Sequence, residues 1–405
     1  MLDDFGQRIR DIILSEMDLS RELSDEEICD LIGSVVSREA RDRPMTIKDR
    51  AELERTIFNS LRKLDVLQEL VDDRDVTEIM VNGPNDIFYE KAGRIQRFNG
   101  HFSSEEKLED VIQQIVGRHN RVVNQASPIV DTRLSDGSRV NIVLNPISIG
   151  GSAVSIRKFP EHPMSMERLV EIEALSPEVA RLLQILTQAK YNIFISGGTG
   201  SGKTTFLNAL SQYIPDDERI ITIEDSAELQ LLGAKNIVRL ETRNANTDGV
   251  TPITIRDLIR TALRMRPDRI IVGECRGAEA LDMLQAMNTG HDGSLSTGHA
   301  NSPHDIISRI ETMVLQGQDF PLNAIRQQIA SGIDIIVQLG RLRDKSRRVL
   351  EISEVDGFMD GEIVLHTLYH FEETAVLDSG RIQGFLKKAG TLCHTDKLMA
   401  AGLSV

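Results

Sequence analysis

The chain has 405 residues, of which 40% are hydrophobic and 27% are charged, a composition typical of a folded globular protein and not of a disordered one. Its 62 acidic and 47 basic side chains give a net charge of −15, which argues against general electrostatic binding to nucleic acid or to anionic lipid. Its three scattered cysteines fit neither a disulfide framework nor a cysteine-based zinc site.

The amino-terminal region, residues 1–68, is predicted to be a helical module. Apolar side chains recur at helical spacing from Ile28 to Val35 and again from Leu53 to Leu64. The first residues, MLDDFGQRIRD, are acidic where a secretory signal would be basic, and no apolar run approaches the ~20 residues of a membrane-spanning helix. We therefore expect a cytoplasmic protein.

Residues 69–160 are predicted to form an α+β domain, PAS-like in class. Short β-rich runs alternate with Asn-Gly-Pro and Lys-Ala-Gly turns from Thr77 to Phe98, and a helix is expected at Glu105–Arg118. The Asp-Gly pair within Asp131–Leu144 predicts a β-hairpin, and SAVSIRKF predicts one more strand. The two prolines of PEHPMSME then indicate a linker, placed at residues 161–168.

Residues 169–355 are predicted to be an α/β domain with a parallel sheet. The strand-like runs YNIFIS, RIITIE, RIIVGE and SLSTGH alternate with predicted helices after Lys203, at Ile255–Met265 and at Ala278–Asn288. The remaining residues, 356–405, are predicted to be a carboxyl-terminal extension with a β-hairpin in DGFMDGEIVLHTLYHF.

A phosphate-binding loop is the strongest chemical signal in the sequence. ISGGTGSGKTT contains G-x-x-x-x-G-K-[ST] between a β-rich run and a helix-forming run, the context that this motif requires. In such a loop backbone amides surround phosphate oxygens, Lys203 reaches the β- and γ-phosphates of ATP, and Thr204 binds Mg²⁺. The predicted nucleotide-binding residues are Gly197, Gly198, Thr199, Gly200, Ser201, Gly202, Lys203, Thr204 and Thr205.

Acidic residues end two of the predicted strands. Glu224 and Asp225 follow RIITI, and Glu274 follows RIIVG, at the sheet edge where α/β proteins bind ligands. ATP hydrolysis needs a carboxylate near the metal and a group that orients or deprotonates water, so Glu274 and Glu224 are candidates for these roles and, with Thr204, for the Mg²⁺ site. The alternative is that these acids only cap helices. No guanine-reading Asn-Lys-x-Asp is present, which argues against a GTPase.

Two histidines, His291 and His299, are the first and last residues of the stretch HDGSLSTGH. A zinc site would need a third protein ligand, and the spacing matches no familiar zinc pair. A hydrogen-bonded core histidine is an alternative, chiefly for His291. We favour a third interpretation, in which SLSTG is a strand that ends beside the γ-phosphate and His299 senses the nucleotide state.

A basic stretch, RLRDKSRR, lies at Arg341–Arg348. It is interpreted as a solvated turn between strands, with a local basic patch as the alternative. His366 and His370 have no third ligand nearby and are interpreted as structural, and the last ~25 residues have no predicted chemistry.

Several of these motifs together resemble the ATPases of type II and type IV secretion, a VirB11-like group of the RecA-like motor superfamily. They are GGTGSGKTT, IEDSAEL, VTEIMVNGP and LRMRPDRIIVGECRGAEALDMLQAMNTGHDGSLSTGHANSP. The helical segment before Glu69, the hairpin TRLSDGSRVN and the tail AIRQQIASGIDIIVQLGRLRDKSRRVLEISEV are most similar to CpaF, the TadA-type pilus ATPase. A four-cysteine zinc insert and an arginine-rich helix after the core, expected in related secretion, extension and retraction ATPases, are absent from the sequence.

The resemblance assigns further roles. It implies that Glu224–Glu228 is an Asp box, that Glu274 is the Walker B acid and that His291–His299 is a His box. It also implies that arginines of the α+β domain reach the phosphates, and the matching residues are Arg133, Arg139 and Arg157. An exposed hairpin arginine is otherwise more often solvated. Arg264, Arg266 and Arg276, which flank the Walker B strand, are candidates for a subunit interface.

The predicted function is therefore that of an ATP- and Mg²⁺-dependent motor. The resemblance implies a cytoplasmic homo-hexamer at the inner face of the membrane, associated peripherally with the platform proteins of a pilus or secretion system and not with nucleic acid. Two alternatives stay open. One is a regulator or scaffold that binds ATP with little turnover, and the other is a small-molecule kinase.

Overall fold

The computed structural model describes residues 4–17, 20–21, 23–43, 45–91, 93–118, 122–159, 164–243 and 251–405. The chain forms two compact units that divide between Glu161 and His162. Residues 161–163 of the predicted linker, 161–168, lie outside the described residues.

The first unit begins with three helices that bury a cluster of aliphatic side chains, among them Ile13, Ile28 and Ile57. Two of these helices start at capping boxes, because Ser24 and Thr46 each accept a hydrogen bond from a backbone N–H of the first turn. The helices are α1 (Asp4–Glu16), α2 (Asp25–Glu39) and α3 (Ile47–Arg62), with 3₁₀ turns at Ala40–Asp42 and Asp65–Leu67.

The same unit contains a six-stranded antiparallel sheet among the described residues, in the order β3-β2-β1-β6-β5-β4. Buried side chains alternate along its strands and pack against Leu108, Ile112 and Ile115 of one helix. The elements are α4 (Gln68–Asp72), β1 (Val76–Asn82), β2 (Ile87–Lys91), β3 (Arg94–Arg97), α5 (Glu105–Gly117), β4 (Ile129–Arg133), β5 (Arg139–Val143) and β6 (Ala153–Arg157).

The second unit is built on a nine-stranded sheet within the described residues, in the order β15-β14-β13-β12-β7-β11-β10-β8-β9. The six strands from β12 to β9 run parallel, and β13 to β15 extend the sheet as antiparallel strands. The strands are β7 (Ile193–Gly197), β8 (Arg219–Glu224), β9 (Asn236–Glu241), β10 (Arg269–Val272), β11 (Leu295–Gly298), β12 (Ile335–Arg341), β13 (Arg347–Met359), β14 (Glu362–Val376) and β15 (Ile382–Lys388).

Helices cover this sheet and bury two apolar clusters. One cluster takes side chains from α6, α7, α8 and α13, and the other takes them from α9 to α12. The central strands β7, β10 and β11 are fully buried, as expected when helices cover a parallel sheet. The helices are α6 (Met166–Glu171), α7 (Pro177–Gln188), α8 (Lys203–Ser211), α9 (Ile255–Ala262), α10 (Glu279–Asn288), α11 (Pro303–Gly317), α12 (Leu322–Gly332) and α13 (Asp396–Ala401).

The structure differs from two predicted boundaries. Strand β13 continues past residue 355, where the core was expected to end, because residues 357–359 pair with β14. Helix α6 begins inside the predicted linker, because the Ser165 hydroxyl accepts a hydrogen bond from the Arg168 N–H and caps it.

Candidate nucleotide site at the carboxyl edge of the parallel sheet

The predicted site residues of the second unit follow neighbouring parallel strands. Gly197 ends β7, His299 follows β11, Glu274 lies two residues after β10, and Glu224 ends β8. These four strands are adjacent in the sheet, so their carboxyl ends form one edge. Ligands of open α/β sheets bind at such an edge, where loops lead into helix amino termini.

Glycine is required at the start of the phosphate loop. A Cβ on Gly197 would lie 2.5 Å from the Ser201 Oγ and 2.7 Å from the Leu339 carbonyl oxygen, closer than real Cβ contacts. At the other end of the loop Gly202 has φ +94°, a left-handed conformation that favours glycine, and α8 starts at the next residue. The loop therefore leads tightly from a buried strand into a helix amino terminus, which suits phosphate binding.

Lys203 lies against its own loop. Its ammonium donates hydrogen bonds to the carbonyls of Gly197, over 3.0 Å, and Gly198, over 3.1 Å. It also lies 3.2 Å from Nδ1 of His299. An anionic phosphate in the loop would compete with these neutral acceptors for the ammonium.

The neighbours of His299 define its tautomer. A lysine ammonium can only donate, so Nδ1 of His299 accepts and the neutral ring carries its proton on Nε2. Nε2 lies 2.8 Å from the Glu274 Oε1, at ion-pair distance, although among the described residues this buried oxygen accepts no hydrogen bond. Burial and the Lys203 ammonium lower the pKa of the imidazole and outweigh the Glu274 carboxylate, which raises it. His299 is therefore a neutral link between the lysine of the loop and the predicted Walker B acid.

Glu274 also contacts Arg276. The Glu274 Oε2 accepts a hydrogen bond from the Arg276 Nη2 over 2.6 Å, and the Arg276 Nη1 lies 3.6 Å from an oxygen of Asp225. Beside Glu274, the pKa of the Arg276 guanidinium is raised. A chain of polar contacts thus runs from Lys203 through His299, Glu274 and Arg276 to Asp225.

The oxygens needed for Mg²⁺ are available at this edge. Thr204 is half-buried in the first turn of α8, beside Lys203, and the carboxylate of Glu274 follows β10. No group of three or more His, Cys, Asp or Glu residues that could hold a metal occurs among the described residues. Such a donor set fits Mg²⁺ that is bound together with nucleotide phosphates and not held in an all-protein cage.

Residues 60–383 match the family described as type II/IV secretion system protein. The chain belongs to this family. The type IV secretion system protein PtlH of Bordetella pertussis is 33% identical to it over 320 residues, which cover 73% of this chain and 94% of PtlH. Conjugal transfer protein TrbB of Rhizobium radiobacter is 31% identical over 332 residues, which cover 81% of this chain and 98% of TrbB.

The pilus retraction motor PilT, in its crystal structure with ADP, matches this chain with a TM-score of 0.54 at 21% identity. The match covers 82% of this chain and 84% of that chain and confirms the RecA-like fold. The predicted resemblance to secretion ATPases is confirmed at the level of the type II/IV secretion family, whereas the closer assignment to CpaF stays a prediction. None of the helices within the described residues is long and apolar enough to cross a bilayer.

In this family member Glu224 has a structural partner. Its carboxylate is 3% exposed, and Oε1 accepts hydrogen bonds from the backbone N–H groups of Glu228 and Leu229, over 2.8 and 2.9 Å. Glu224 therefore holds the predicted Asp box against the end of β8. Its role in hydrolysis or metal binding stays a prediction.

The other predicted histidine lies apart from this chain of contacts. His291 has its Nδ1 3.3 Å from the Ala286 carbonyl at the end of α10, and Ser294 Oγ donates to the His291 carbonyl over 2.7 Å. His291 thus belongs to the turn before β11, whereas His299 follows β11 at its other end.

The three predicted arginines of the first unit form one row. Arg133 pairs with Arg139 across β4 and β5, and Arg139 pairs with Arg157 across β5 and β6. Directly paired residues share a face of the sheet, so these three side chains lie side by side on it. Acidic side chains adjoin this row: Arg139 lies 3.8 Å from an oxygen of Asp131, and Arg157 pairs with Glu78 across β6 and β1.

One residue that the sequence did not predict for the site also contacts the loop. The Nε of Arg347 donates a hydrogen bond to the Gly200 carbonyl over 2.9 Å. Elsewhere in the predicted loop, Gly198 is half-buried and Thr199, Gly200 and Thr205 are exposed. One side chain of the stretch Arg341–Arg348, interpreted above as a solvated turn, therefore contacts the predicted phosphate loop.

Proposed function

We propose that the chain is an ATPase that hydrolyses ATP with Mg²⁺ at the carboxyl edge of its parallel sheet. In this proposal the phosphate loop binds the nucleotide, Thr204 and Glu274 hold the metal, and His299 passes the state of the γ-phosphate on to Glu274. The metal would neutralise charge that develops on the phosphates during transfer.

The contact chain from Lys203 to Asp225 is the observation that carries this proposal. A phosphate group would draw the Lys203 ammonium away from the Gly197 and Gly198 carbonyls, and His299 would lose or change its Nδ1 partner. Because the same imidazole faces Glu274, nucleotide occupancy would alter the surroundings of the acid expected to act near the metal. Such coupling is what a motor needs and a passive phosphate-binding loop does not.

A second, more specific proposal concerns the oligomer and the pilus or secretion system that it serves. We propose a cytoplasmic homo-hexamer that powers assembly of a Flp/Tad-type pilus, or protein secretion, through an inner-membrane platform. Family membership and the names of PtlH and TrbB support a role in a secretion or conjugation apparatus. We also propose, from the family resemblance, that Arg133, Arg139 and Arg157 contribute to phosphate binding. Light scattering after size-exclusion chromatography, with and without ATP, should give the mass of a hexamer.

Phosphate release by two variants tests the site. Lys203→Ala should abolish both ATP binding and turnover, whereas Glu274→Gln should bind ATP and release phosphate about 100-fold more slowly, since it removes a charge needed in the transition state. The exposed residues Lys235 and Glu171 supply matched controls, Lys235→Ala and Glu171→Gln, which should behave as wild type. Wild-type phosphate release by both site variants would overturn the proposal.

The alternatives predict other outcomes. A scaffold with little turnover would bind ATP through Lys203, yet Glu274→Gln would leave its slow phosphate release unchanged. A small-molecule kinase would release little phosphate until an acceptor is added. Steady phosphate release from the wild-type protein without an acceptor, sensitive to Glu274→Gln, would exclude both.

A further inference from the structure

Arg347 reaches the phosphate loop from another part of the sheet. It is the first residue of β13, and its Nε donates a hydrogen bond to the carbonyl of Gly200 over 2.9 Å, across 147 positions of sequence. A Cβ on Gly202 would lie 3.5 Å from the Arg347 Cδ, so the alkyl part of the side chain runs beside Gly202 at van der Waals distance. One side chain thus contacts two glycines of the loop.

The turn that presents Arg347 is held in place by many hydrogen bonds. The Leu342 N–H donates to the Ser346 carbonyl over 2.8 Å, and the Asp344 carboxylate accepts from the N–H and hydroxyl of Ser346 and from the N–H of Ile382. Burial would raise the pKa of the Asp344 carboxyl, but these hydrogen bonds lower it to about 2. The hydrogen bonds of the turn therefore fix the backbone position from which the Arg347 side chain extends.

Arg347 differs from Arg343 and Arg348 of this stretch. Arg343 pairs with Glu373, and the buried Arg348 pairs with Glu173. Within the part of the chain that the structure describes, Arg347 is exposed and makes no ion pair, and its hydrogen bond goes to the loop. Arg343 and Arg348 are thus engaged by acidic partners, whereas Arg347 contacts the loop.

The glycines give the phosphate loop conformational freedom that such a contact would restrict. Gly200 and Gly202 have φ of +72° and +94°, and a Cβ at Gly198 or Gly200 would meet nothing within 4 Å. Glycines in open surroundings have many accessible conformations, so ordering them on nucleotide binding costs entropy. A hydrogen bond that already fixes the Gly200 carbonyl reduces that cost and so strengthens binding.

We propose that Arg347 is a positioning residue for the nucleotide: it holds Gly200 to Gly202 in the conformation that receives phosphate and ties the phosphate loop to β13. This inference rests on the proposed ATPase function. Arg347 acts on ATP affinity and not on the chemical step, because its contact is with the backbone carbonyl of Gly200 in the loop.

Two substitutions of Arg347 separate the donor from the side-chain stem. Arg347→Met keeps the alkyl part beside Gly202 and removes the donor, whereas Arg347→Lys keeps a charged donor. Lys345→Met removes one positive charge from an exposed position of the adjoining turn and is the control. The measurements are the Kd of a fluorescent ATP analogue, KM and kcat for phosphate release, and the melting temperature.

Arg347→Met should raise Kd and KM about tenfold, the usual effect of losing one charge-assisted hydrogen bond, with kcat within twofold of wild type. Arg347→Lys should recover most of this loss, and Lys345→Met should match wild type. A Kd for Arg347→Met within twofold of wild type would overturn the inference, as would a fall in kcat at unchanged KM or a lower melting temperature as the sole effect. If Lys203→Ala keeps wild-type binding, the proposed function fails instead.

Discussion

The two edges of the parallel sheet in the second unit are built differently. At the carboxyl edge, polar side chains share partners: Lys203 contacts loop carbonyls and His299, and Glu274 lies between His299 and Arg276. At the amino edge, polar side chains fasten the carboxyl-terminal segment to the core. Contacts of the first kind can be exchanged for a phosphate, whereas those of the second kind leave buried polar groups without partners when broken.

Asp334 is central to the amino edge. Its Oδ2 accepts hydrogen bonds from the Asn192 N–H before β7 and from the Lys397 ammonium of α13, each over 2.7 Å. Lys397 also lies 2.8 Å from an oxygen of Asp292, in the turn before β11. This cluster connects α13 to the starts of three neighbouring strands, β7, β11 and β12.

Glu354 attaches the carboxyl-terminal segment to the core at a second point. Its carboxylate is 1% exposed and accepts hydrogen bonds from the backbone N–H groups of Cys393 and His394, over 2.7 and 2.8 Å. The Tyr191 hydroxyl donates to the His394 carbonyl over 2.6 Å. The segment around Cys393 and His394 is therefore part of the fold of this unit. Substitutions at the two edges of the sheet should accordingly have different effects.

The largest effect in this comparison is expected from Glu354→Ala. The change leaves two backbone N–H groups of the carboxyl-terminal segment without acceptors, and we expect a loss of about 3 kcal/mol in unfolding free energy. Urea denaturation measures it, and ATP binding at low temperature should stay within twofold of wild type. Glu362→Ala, at an exposed glutamate, should cost less than about 0.5 kcal/mol. Equal stability of the two variants would contradict the conclusion that contacts at the amino edge stabilise the fold.

A smaller effect, on turnover and not on stability, is expected from His299→Ala. The substitution removes the link between Lys203 and Glu274, so kcat should fall about tenfold, which is about 1.4 kcal/mol, while ATP affinity stays within about threefold. Phosphate release and binding of a fluorescent ATP analogue give the two values. His304→Ala, at an exposed histidine of α11, is the control and should match wild type. Equal losses of binding and turnover would refute a sensor role for His299.

The two edges also differ in how far the sequence predicts them. Lys203, Glu274 and His299 were predicted because each belongs to a short motif that follows a strand, and adjacent parallel strands bring such motifs to one edge. The partners of Arg347 and Glu354 lie 147 and about 40 positions away, and nothing local marks them. Their roles depend on β13 joining the sheet beside β12, a pairing between strands that no short motif marks.

The smallest expected effect is that of Lys397→Met, and it depends on pH. Burial raises the pKa of the Asp334 carboxyl, and the Lys397 ammonium opposes this, so the variant should have a still higher Asp334 pKa. A carboxyl with a raised pKa binds more protons when folded, and stability falls as pH rises through that pKa. We expect a cost of about 1 kcal/mol at pH 7.5 that shrinks towards pH 4.5.

Urea denaturation of Lys397→Met at several pH values tests this dependence. Lys388→Met, at an exposed lysine of β15, removes the same charge away from Asp334 and should show no such trend relative to wild type. A cost for Lys397→Met that stays the same from pH 7.5 to pH 4.5 would mean that Asp334 is ionised without help from the ammonium. The amino edge would then resemble the carboxyl edge, with a lysine free to change partners, and the contrast between the two edges would fail.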